Sequence, residues 1–437
     1  MKNAGLLLGS GVLLALLQQQ LLLRRPPRLL DLQSSTASSG PAALALRFSR
    51  PMDRASLAAG SQLQPALTHQ WLGANNPLRL LLVGNQPITG AIRLLISGLD
   101  QRGLGLQQQH WLWDPRPRLL AVVPQGKGEQ LQLQQRDGRW RSLTPVFDRI
   151  TAVQPLGDGS GIALATRSGE AERLWLLPLE QSALQPAGRA AATGVKTGSL
   201  KALLQEPLTF AHLSSNRRGD LLVQWSARTA GRSVTSFWPR QGSRQELDLQ
   251  ASGPMQLLPE GGGLVVPELE GLSLRNLPGR PARQQLLPGS RDLSGFCPVS
   301  GRALLVRHWP DFRRSLELVE PGQPPRQLWL GSEAVLSTAC DRGGERVWLL
   351  LSNWRDVQRN RLLELNREGR IVRQRELEGW EAEPGVPMAY DPTGRQLLLT
   401  LRPRGGKEAQ AMLIPVDDLQ LKPVAKPVRQ ALWLPPG

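Results

Sequence analysis

Four histidines, two cysteines and a few neighbouring carboxylates are the first places to look for chemistry in this 437-residue chain. His69, His110, His212 and His308 have no metal-ligand spacing among them. His212 falls on a strand expected to face a central channel, where it is either a hydrogen-bonded core group or a binding group. Asp417 with Asp418, Glu376 with Glu378, and Glu381 with Glu383 sit in polar strand ends or loops. They read as solvated faces and not as a general acid and base. No G-x-S-x-G nucleophile elbow occurs, and no catalytic residue, metal or cofactor is assigned. Arg218-Gly219-Asp220 spells an adhesion tripeptide but lies in a repeated turn that accounts for it. Trp309, in RHWPDFRR, is expected in a loop with Arg313 and Arg314. Trp and Arg are the residue types that dominate binding hot spots, so Trp309, Arg313, Arg314 and His212 are the candidate binding residues. Trp175, Trp225, Trp329 and Trp348 lie on expected strands and read as core.

Cys297 and Cys340 hold the same place on consecutive expected strands, SGFCPV and STACDR. Strands that converge on one axis would bring the two sulfurs near each other. A disulfide requires Cα atoms within about 7 Å and an oxidising compartment. The alternative is a pair of buried free thiols.

The elements that must position these groups repeat along the chain. A strand enters a turn rich in Pro, Asp, Ser, Asn and Gly, and a second strand leaves it. The copies are ITAVQPLGDGSGIALAT from Ile150, TFAHLSSNRRGDLLVQW from Thr209, PMQLLPEGGGLVVP from Pro254, SGFCPVSGRALLV from Ser294, LSTACDRGGERVWLLL from Leu336 and VPMAYDPTGRQLLLTL from Val386. Their glycines, from Gly161 to Gly394, are 58, 43, 39, 43 and 50 residues apart. A period of about 40–50 residues with about four strands is that of a propeller blade. A β-sandwich with coincidentally similar hairpins is the competing reading. Strands leaving the turn number seven and entering strands six, so one inner strand must come from elsewhere. VRQALWLPPG, from Val428, has the right shape to close the ring and remove two free sheet edges. QQHWLWDPRPR is the competing donor. The 58-residue interval holds an insertion, Gln185 to Pro207, expected as an exposed loop with one short helical turn at LKALLQ.

Formal charge is +17, with 53 Lys and Arg against 36 Asp and Glu. The excess is nearly all Arg and is scattered through every repeat. Single-strand nucleic-acid binding calls for a basic stripe with stacking aromatics, whereas this chain has one Tyr and six Phe. Specific nucleic-acid binding is therefore not expected, while acidic partners or anionic lipid heads remain suited to the surface.

Residues 1–25 are expected to be a signal anchor. Ala4 to Leu17 is apolar behind Lys2, and no convincing cleavage site follows. Arg24, Arg25 and Arg28 outweigh Lys2 and would hold the C-terminal side in the cytoplasm, against the periplasmic placement that the next domain suggests. Residues 26–40 are expected to be a linker, with Pro26 and Pro27 stopping the helix and SSTASSG as a spacer.

From Pro41 to about Asp114 the chain resembles the bacterial Ig-like domain of cell-surface and envelope proteins, the S-layer-associated type. LALRFSRPMDRASL from Leu44 and ITGAIRLLISGLDQRG from Ile88 carry the resemblance. The family's usual Tyr in the penultimate strand is absent, and Ile92 stands there. Independently, alternation in LALRF puts Leu44, Leu46 and Phe48 on one face. The resemblance implies a spacer or adhesion module outside the cytoplasm. From Pro115 the repeats resemble TolB-type, WD40-like propeller units, with YDPTGRQLLLTL the nearest match. The expected protein is all-β: an N-terminal anchor helix, an Ig-like sandwich over 41–114, and a seven-bladed propeller over 115–437 closed by its C-terminal strand. The expected role is a monomeric, membrane-anchored, non-catalytic scaffold that binds acidic envelope proteins. A propeller hydrolase or lyase with its site at the channel mouth, and a binder of cell wall or polysaccharide, are the alternatives.

Overall fold

The computed structural model describes residues 18, 24–35, 37, 39–74, 76–188, 194–228, 233–279, 281, 283–299, 301–354 and 358–437. The expected anchor helix falls almost wholly outside them. Among the described residues, no helix is long and apolar enough to cross a membrane.

Two four-stranded sheets open the chain. Sheet A runs in the order Leu29–Ser35, Ala43–Phe48, Leu78–Leu82, His69–Leu72. Sheet B runs Leu184–Pro186, Gln109–Trp113, Ile92–Ile96, Gln62–Gln64. One apolar core joins them, with Leu44, Leu46, Phe48, Leu80 and Leu82 from sheet A and Ile92, Leu94, Ile96 and Trp113 from sheet B. The expected alternation holds: Leu44, Leu46 and Phe48 are at most 1% exposed. The helix α1 (Arg54–Gly60) starts at Asp53, whose carboxylate accepts from the Ala55 and Ser56 amides. That is the Asp of the quoted SRPMDRASL stretch acting as an N-cap.

Residues 29–35, expected as linker, instead form the edge strand of sheet A. They pair with Ala43–Phe48 from Leu29↔Phe48 to Ser35↔Ala43. Polarity misled the expectation: an edge strand needs only one apolar stripe, and Leu29 and Leu32 supply it by packing on the core. Sheet B contains a strand contributed from far along the chain, since Leu184–Pro186 pairs with Trp111–Trp113.

Six further sheets follow. Sheet C has the order Trp140–Ser142, Gly128–Gln134, Arg118–Gln125, Gln430–Leu434. Its last strand is the C-terminal one, in register from Gln430↔Val122 to Leu434↔Arg118. QQHWLWDPRPR plays no part in this closure, because Gln109–Trp113 is taken up by sheet B. Sheet D has nine strands. Its first half is Arg149–Pro155, Gly161–Ser168 and Ala171–Glu180, with Lys196–Thr197 and Lys201–Ala202 on the outer side. Its second half is Leu208–Ser215, Leu221–Ala227, Ser233–Trp238 and Gln245–Leu247. One residue pair, Glu172↔Leu208, joins the halves. They also face each other across a core that includes Ala163, Leu174, Leu221 and Val223.

Sheet E is Gln256–Leu257, Gly263–Glu268, Gly271–Asn276, Gln284–Pro288. Sheet F is Arg291–Phe296, Ala303–His308, Arg314–Val319, Arg326–Gly331. Sheet G is Ala334–Cys340, Arg346–Asn353, Arg359–Asn366, Ile371–Glu376. Sheet H is Trp380–Ala382, Gln396–Pro403, Ala409–Pro415, Lys422–Val428, with Ala389–Asp391 also on Gln396–Pro403. Successive antiparallel sheets in chain order, with the last strand completing the first sheet, are the arrangement of a β-propeller.

LKALLQ forms no helical turn. Lys201 and Ala202 pair with Leu176 and Trp175, and Leu204 is buried. Two short strands there supply sheet D's outer edge, so an unpaired edge overrides the local helical preference.

Apolar cores join neighbouring sheets almost all the way round. They lie between C and D, D and E, F and G, G and H, and H and C. Among the described residues, E and F share no such core. A cleft of about 630 Å³ lies there instead, lined by Val265, Leu272, Leu274, Leu287, Leu293 and Phe296.

Candidate functional site at the junction of sandwich and ring

The repeated turns are built by side-chain oxygens that accept amides a few residues on. Asp158 Oδ1 accepts from the Ser160 amide at 3.0 Å. Asn216 Oδ1 accepts from Arg218 and Asp220 at 3.0 and 3.1 Å. Asp391 accepts from Thr393 and Gly394 at 2.8 and 2.9 Å. This is the Asx-turn chemistry that the composition of the turns implies. Adjacent turns touch. A Cβ on Gly219, whose φ is +81°, would lie 2.5 Å from the Asp158 carboxylate. The Arg217 amide donates to Pro259 O at 2.9 Å, and Arg240 Nε pairs with Asp158 at 2.8 Å. The turns therefore lie at one rim of the ring, those of sheet D's two halves and of sheet E in contact.

The sandwich sits on that rim. The Ile88 amide donates to Thr393 O at 2.8 Å, and Arg342 Nη2 donates to Pro41 O at 2.9 Å. The Ala183 amide donates to Gly437 O at 3.1 Å and the Asp114 amide to Ala183 O at 2.8 Å. One segment thus links the C-terminus, the ring and the sandwich. Between the two bodies lies a cavity of about 680 Å³ whose walls include Trp111, Trp113, Arg217, Arg342, Tyr390 and Trp433. A smaller one of about 180 Å³ adjoins it and shares Arg342 and Tyr390.

The electrostatics of this junction are unusual. Burial brings the Arg342 guanidinium down to about 10, and the nearby Arg217 charge pushes the same way. No carboxylate lies within ion-pair distance of Arg342 among the described residues, and its buried Nε has no acceptor. The indole N–H groups of Trp111, Trp113 and Trp433 are likewise buried without acceptors. Burial raises the carboxyls of Asp391 and Asp341. It also pushes Tyr390, the chain's single tyrosine, up to about 12. The Tyr390 ring stacks on Trp348 at 4.6 Å between centroids. An excess of buried donors around an arginine with no ion pair among the described residues suits an anionic, acceptor-bearing group.

The residues singled out from the sequence do not gather here. Trp309 and Arg313 are in the turn between Ala303–His308 and Arg314–Val319, and Arg314 opens the second of those strands. That turn is at the end of sheet F away from the sandwich. Trp309 Nε1 donates to Ser315 Oγ at 2.9 Å, the Arg307 guanidinium lies 3.8 Å over its ring, and Arg313 pairs with Asp311 at 2.7 Å. His212 is exposed on the strand Leu208–Ser215, its ring 5.5 Å from Phe210. No contact among the described residues joins His212 to the Trp309 turn. Cys297 and Cys340 are bonded, Sγ to Sγ 2.05 Å and Cα to Cα 5.3 Å, linking sheets F and G. Trp348 and Trp225 are buried in sheet cores. Among the described residues no group of three or more His, Cys, Asp or Glu is placed to hold a metal. Sequence reasoning passed over Arg342 and Tyr390. The available signals were a tyrosine used once and an Arg inside a turn otherwise built from Asp and Gly.

No family model matches the chain, and no curated protein matches it. Solved structures do. TolB from Acinetobacter baumannii is 12% identical, with 74% of this chain and 81% of that one covered and a TM-score of 0.39. The β-propeller domain of the Trilobed protease from Pyrococcus furiosus is 10% identical, with 77% and 94% covered and a TM-score of 0.46. Apo AztD from Citrobacter koseri is 11% identical, with 73% and 98% covered and a TM-score of 0.46. The β-propeller architecture of this chain stands on its own strand order and ring closure.

Proposed function

We propose that this chain is a membrane-anchored envelope protein whose propeller is a non-catalytic platform for acidic protein partners, held off the membrane by an Ig-like spacer. Counting the two halves of sheet D as separate wedges gives seven blades. Residues 1–25 are the anchor, and the bulk of the chain lies on the extracytoplasmic side. One observation carries the reading: main-chain bonds lock sandwich and ring together. The ring lends Leu184–Pro186 to sheet B, and the terminal Gly437 holds Ala183. Such a support keeps a binding face in one orientation and so lowers the ordering cost of association. The Cys297–Cys340 bond fits an oxidising compartment. Protease accessibility in intact cells and in spheroplasts tests the placement. Digestion only after the outer barrier is opened is expected. Protection in permeabilised cells that persists with an intact inner membrane would refute it.

The junction cavity favours a second reading, a carboxylate-bearing cell-wall fragment held between sandwich and ring. Its support is the Arg342 guanidinium, which forms no ion pair among the described residues. Thermal shift with muropeptides would separate the two, since stabilisation of the native chain but not of Arg342→Met belongs to this reading alone.

A further inference from the structure

Arginines gather where the chain leaves the sandwich and enters the ring. Asp114 follows Gln109–Trp113 of sheet B, and Arg118 opens the strand Arg118–Gln125 of sheet C. Arg116 grips the Asp114 carboxylate as a fork, with Nε donating to Oδ1 at 2.8 Å and Nη2 to Oδ2 at 2.9 Å. Arg136, in the turn between Gly128–Gln134 and Trp140–Ser142, reaches the same group, Nε to Oδ2 at 2.9 Å. The other donors of both arginines meet main-chain carbonyls. Arg116 Nη1 donates to Thr89 O, Arg136 Nη1 to Pro117 O and Arg136 Nη2 to Arg116 O. Burial works against the Asp114 charge, yet Arg116 and Arg136 hold its carboxyl below the usual range. One carboxylate faces two guanidiniums, so this trio keeps a surplus positive charge.

Two more arginines stand beside the trio. Arg141 lies opposite Leu133, and Leu133 opposite Leu120. Residues directly opposite share a sheet face, and Arg118, two positions before Leu120, shares it too. Leu120 and Leu133 pack that face on sheet D. Burial lowers the Arg118 pKa, and the charges of Arg116 and Arg141 push the same way. Burial likewise brings Arg136 down to about 10, with Arg118 and Arg116 adding to the effect. Arg141 forms no ion pair among the described residues, and its Nε and Nη2 are buried without an acceptor. Like charges held together and buried charged donors left unmet are both unfavourable. An anion seated among them relieves both.

We infer that Arg118, Arg141 and the Asp114–Arg116–Arg136 trio form a binding site for a phosphate monoester group. The trio contributes one surplus charge and Arg141 another. A phosphate monoester brings a charge of about −1.5 to −2 at pH 7 and three strong acceptor oxygens, whereas a carboxylate brings a single charge and two oxygens. Guanidinium forks match phosphate oxygens in pairs. Arg116 and Arg136 are fixed by Asp114 and by carbonyls, so the site has its shape before a ligand arrives. It is open to solvent, with the Asp114 and Arg116 side chains 21% and 22% exposed. None of the four arginines is in the walls of the Arg342 cavity, so this site is a separate one and does not depend on either reading above.

Titration calorimetry of the full-length chain with inorganic phosphate and with phenyl phosphate, at an ionic strength fixed with sodium chloride, tests this. One saturable site is expected. Affinity should fall roughly tenfold or more in Arg141→Met and in Arg118→Met, as the loss of a charge-assisted hydrogen bond does. Arg139→Met and Arg342→Met should bind as the parent does, since Arg139 is exposed on the same turn and paired with Asp137. Phosphate should raise the melting temperature of the parent and not of Arg141→Met; Arg118→Met gives the same reading from a second strand should Arg141→Met fail to fold. Vesicles of phosphatidylcholine with and without phosphatidic acid separate the sources. Arg141-dependent binding to the phosphatidic acid vesicles assigns the site to a lipid headgroup, and binding of the soluble phosphates alone assigns it to a soluble phosphate ester. No saturable binding to any of the three phosphates would overturn the inference. So would acetate binding as tightly as phosphate, or equal weakening by Arg139→Met. Binding lost in Arg342→Met but kept in Arg141→Met would place the anion in the junction cavity and sink the site proposed here.

Discussion

Tyr390 reports on the junction by itself. As the only tyrosine, its ionisation can be followed directly in the ultraviolet spectrum of the folded protein. Burial raises its pKa to about 12, against about 10 in the unfolded chain. The folded state therefore holds the phenol proton more tightly. The stability this contributes is complete below about pH 10 and is lost as pH rises through about 12, about 3 kcal/mol in all. We expect a tyrosinate midpoint near 12 in native protein and near 10 in denaturant, and a flatter alkaline limb of the stability curve for Tyr390→Phe. Coincident midpoints would show that the sandwich does not cover this residue in solution. Arg342 works in the opposite sense. Its depressed pKa means that the folded state pays to keep it charged, so stability rises as pH increases above about 10. Among the described residues this guanidinium donates to the Pro41 carbonyl and forms no ion pair, which makes it a poor structural device and a good anion receptor.

At the scale of elements, the joints between sheets differ in kind. F and G share an apolar core and the Cys297–Cys340 bond, which closes a chain separation of 43 residues. Removing it with Cys297→Ser or Cys340→Ser is expected to cost about 2–4 kcal/mol, mostly by freeing the unfolded chain. Urea melts with and without reductant check this, and a reductant-insensitive midpoint would contradict it. E and F are separated by the cleft, so this joint should be the first to open. Amides of Gly271–Asn276 and Arg291–Phe296 should exchange roughly tenfold or more faster than those of Arg346–Asn353, which lies between two packed cores. Uniform protection around the ring would mean that the cleft is closed in solution. How much of this could be read from the chain depends on the element. The strand–turn–strand copies were legible because Asp, Asn and Gly fix turn geometry locally and apolar runs flank them. Residues 29–35 and the LKALLQ segment were misread because each becomes a strand only when an existing edge accepts it.

For the whole molecule, closure is the decisive contact. Deleting residues 430–437 leaves Arg118–Gln125 as a bare inner edge and removes the Gly437 bond to Ala183. We expect a non-cooperative melt, dye-binding apolar surface and aggregation through the exposed edge. A soluble truncation melting within a few degrees of the parent would show that the ring is held by sheet packing alone. The two poles of the molecule have different chemistry. One carries the sandwich and the buried donors, and the other the exposed Leu269, Phe312 and Trp354.

What the amino-acid order determined by itself is local: the strands, the Asx turns, the period, and the inward set Leu44, Leu46 and Phe48. Side-chain alternation and turn conformation are settled within a few residues, so they need no knowledge of the rest of the chain. Only the tertiary structure decided that Gln430–Leu434 closes the ring and Gln109–Trp113 does not, and that Leu184–Pro186 leaves sheet D's neighbourhood to extend sheet B. It alone brought Arg342 to Pro41, 301 residues away, and put Leu269, Phe312 and Trp354 on one rim. The physical reason is that a strand edge presents the same donors and acceptors to any partner, so the choice among partners is made by packing between distant segments.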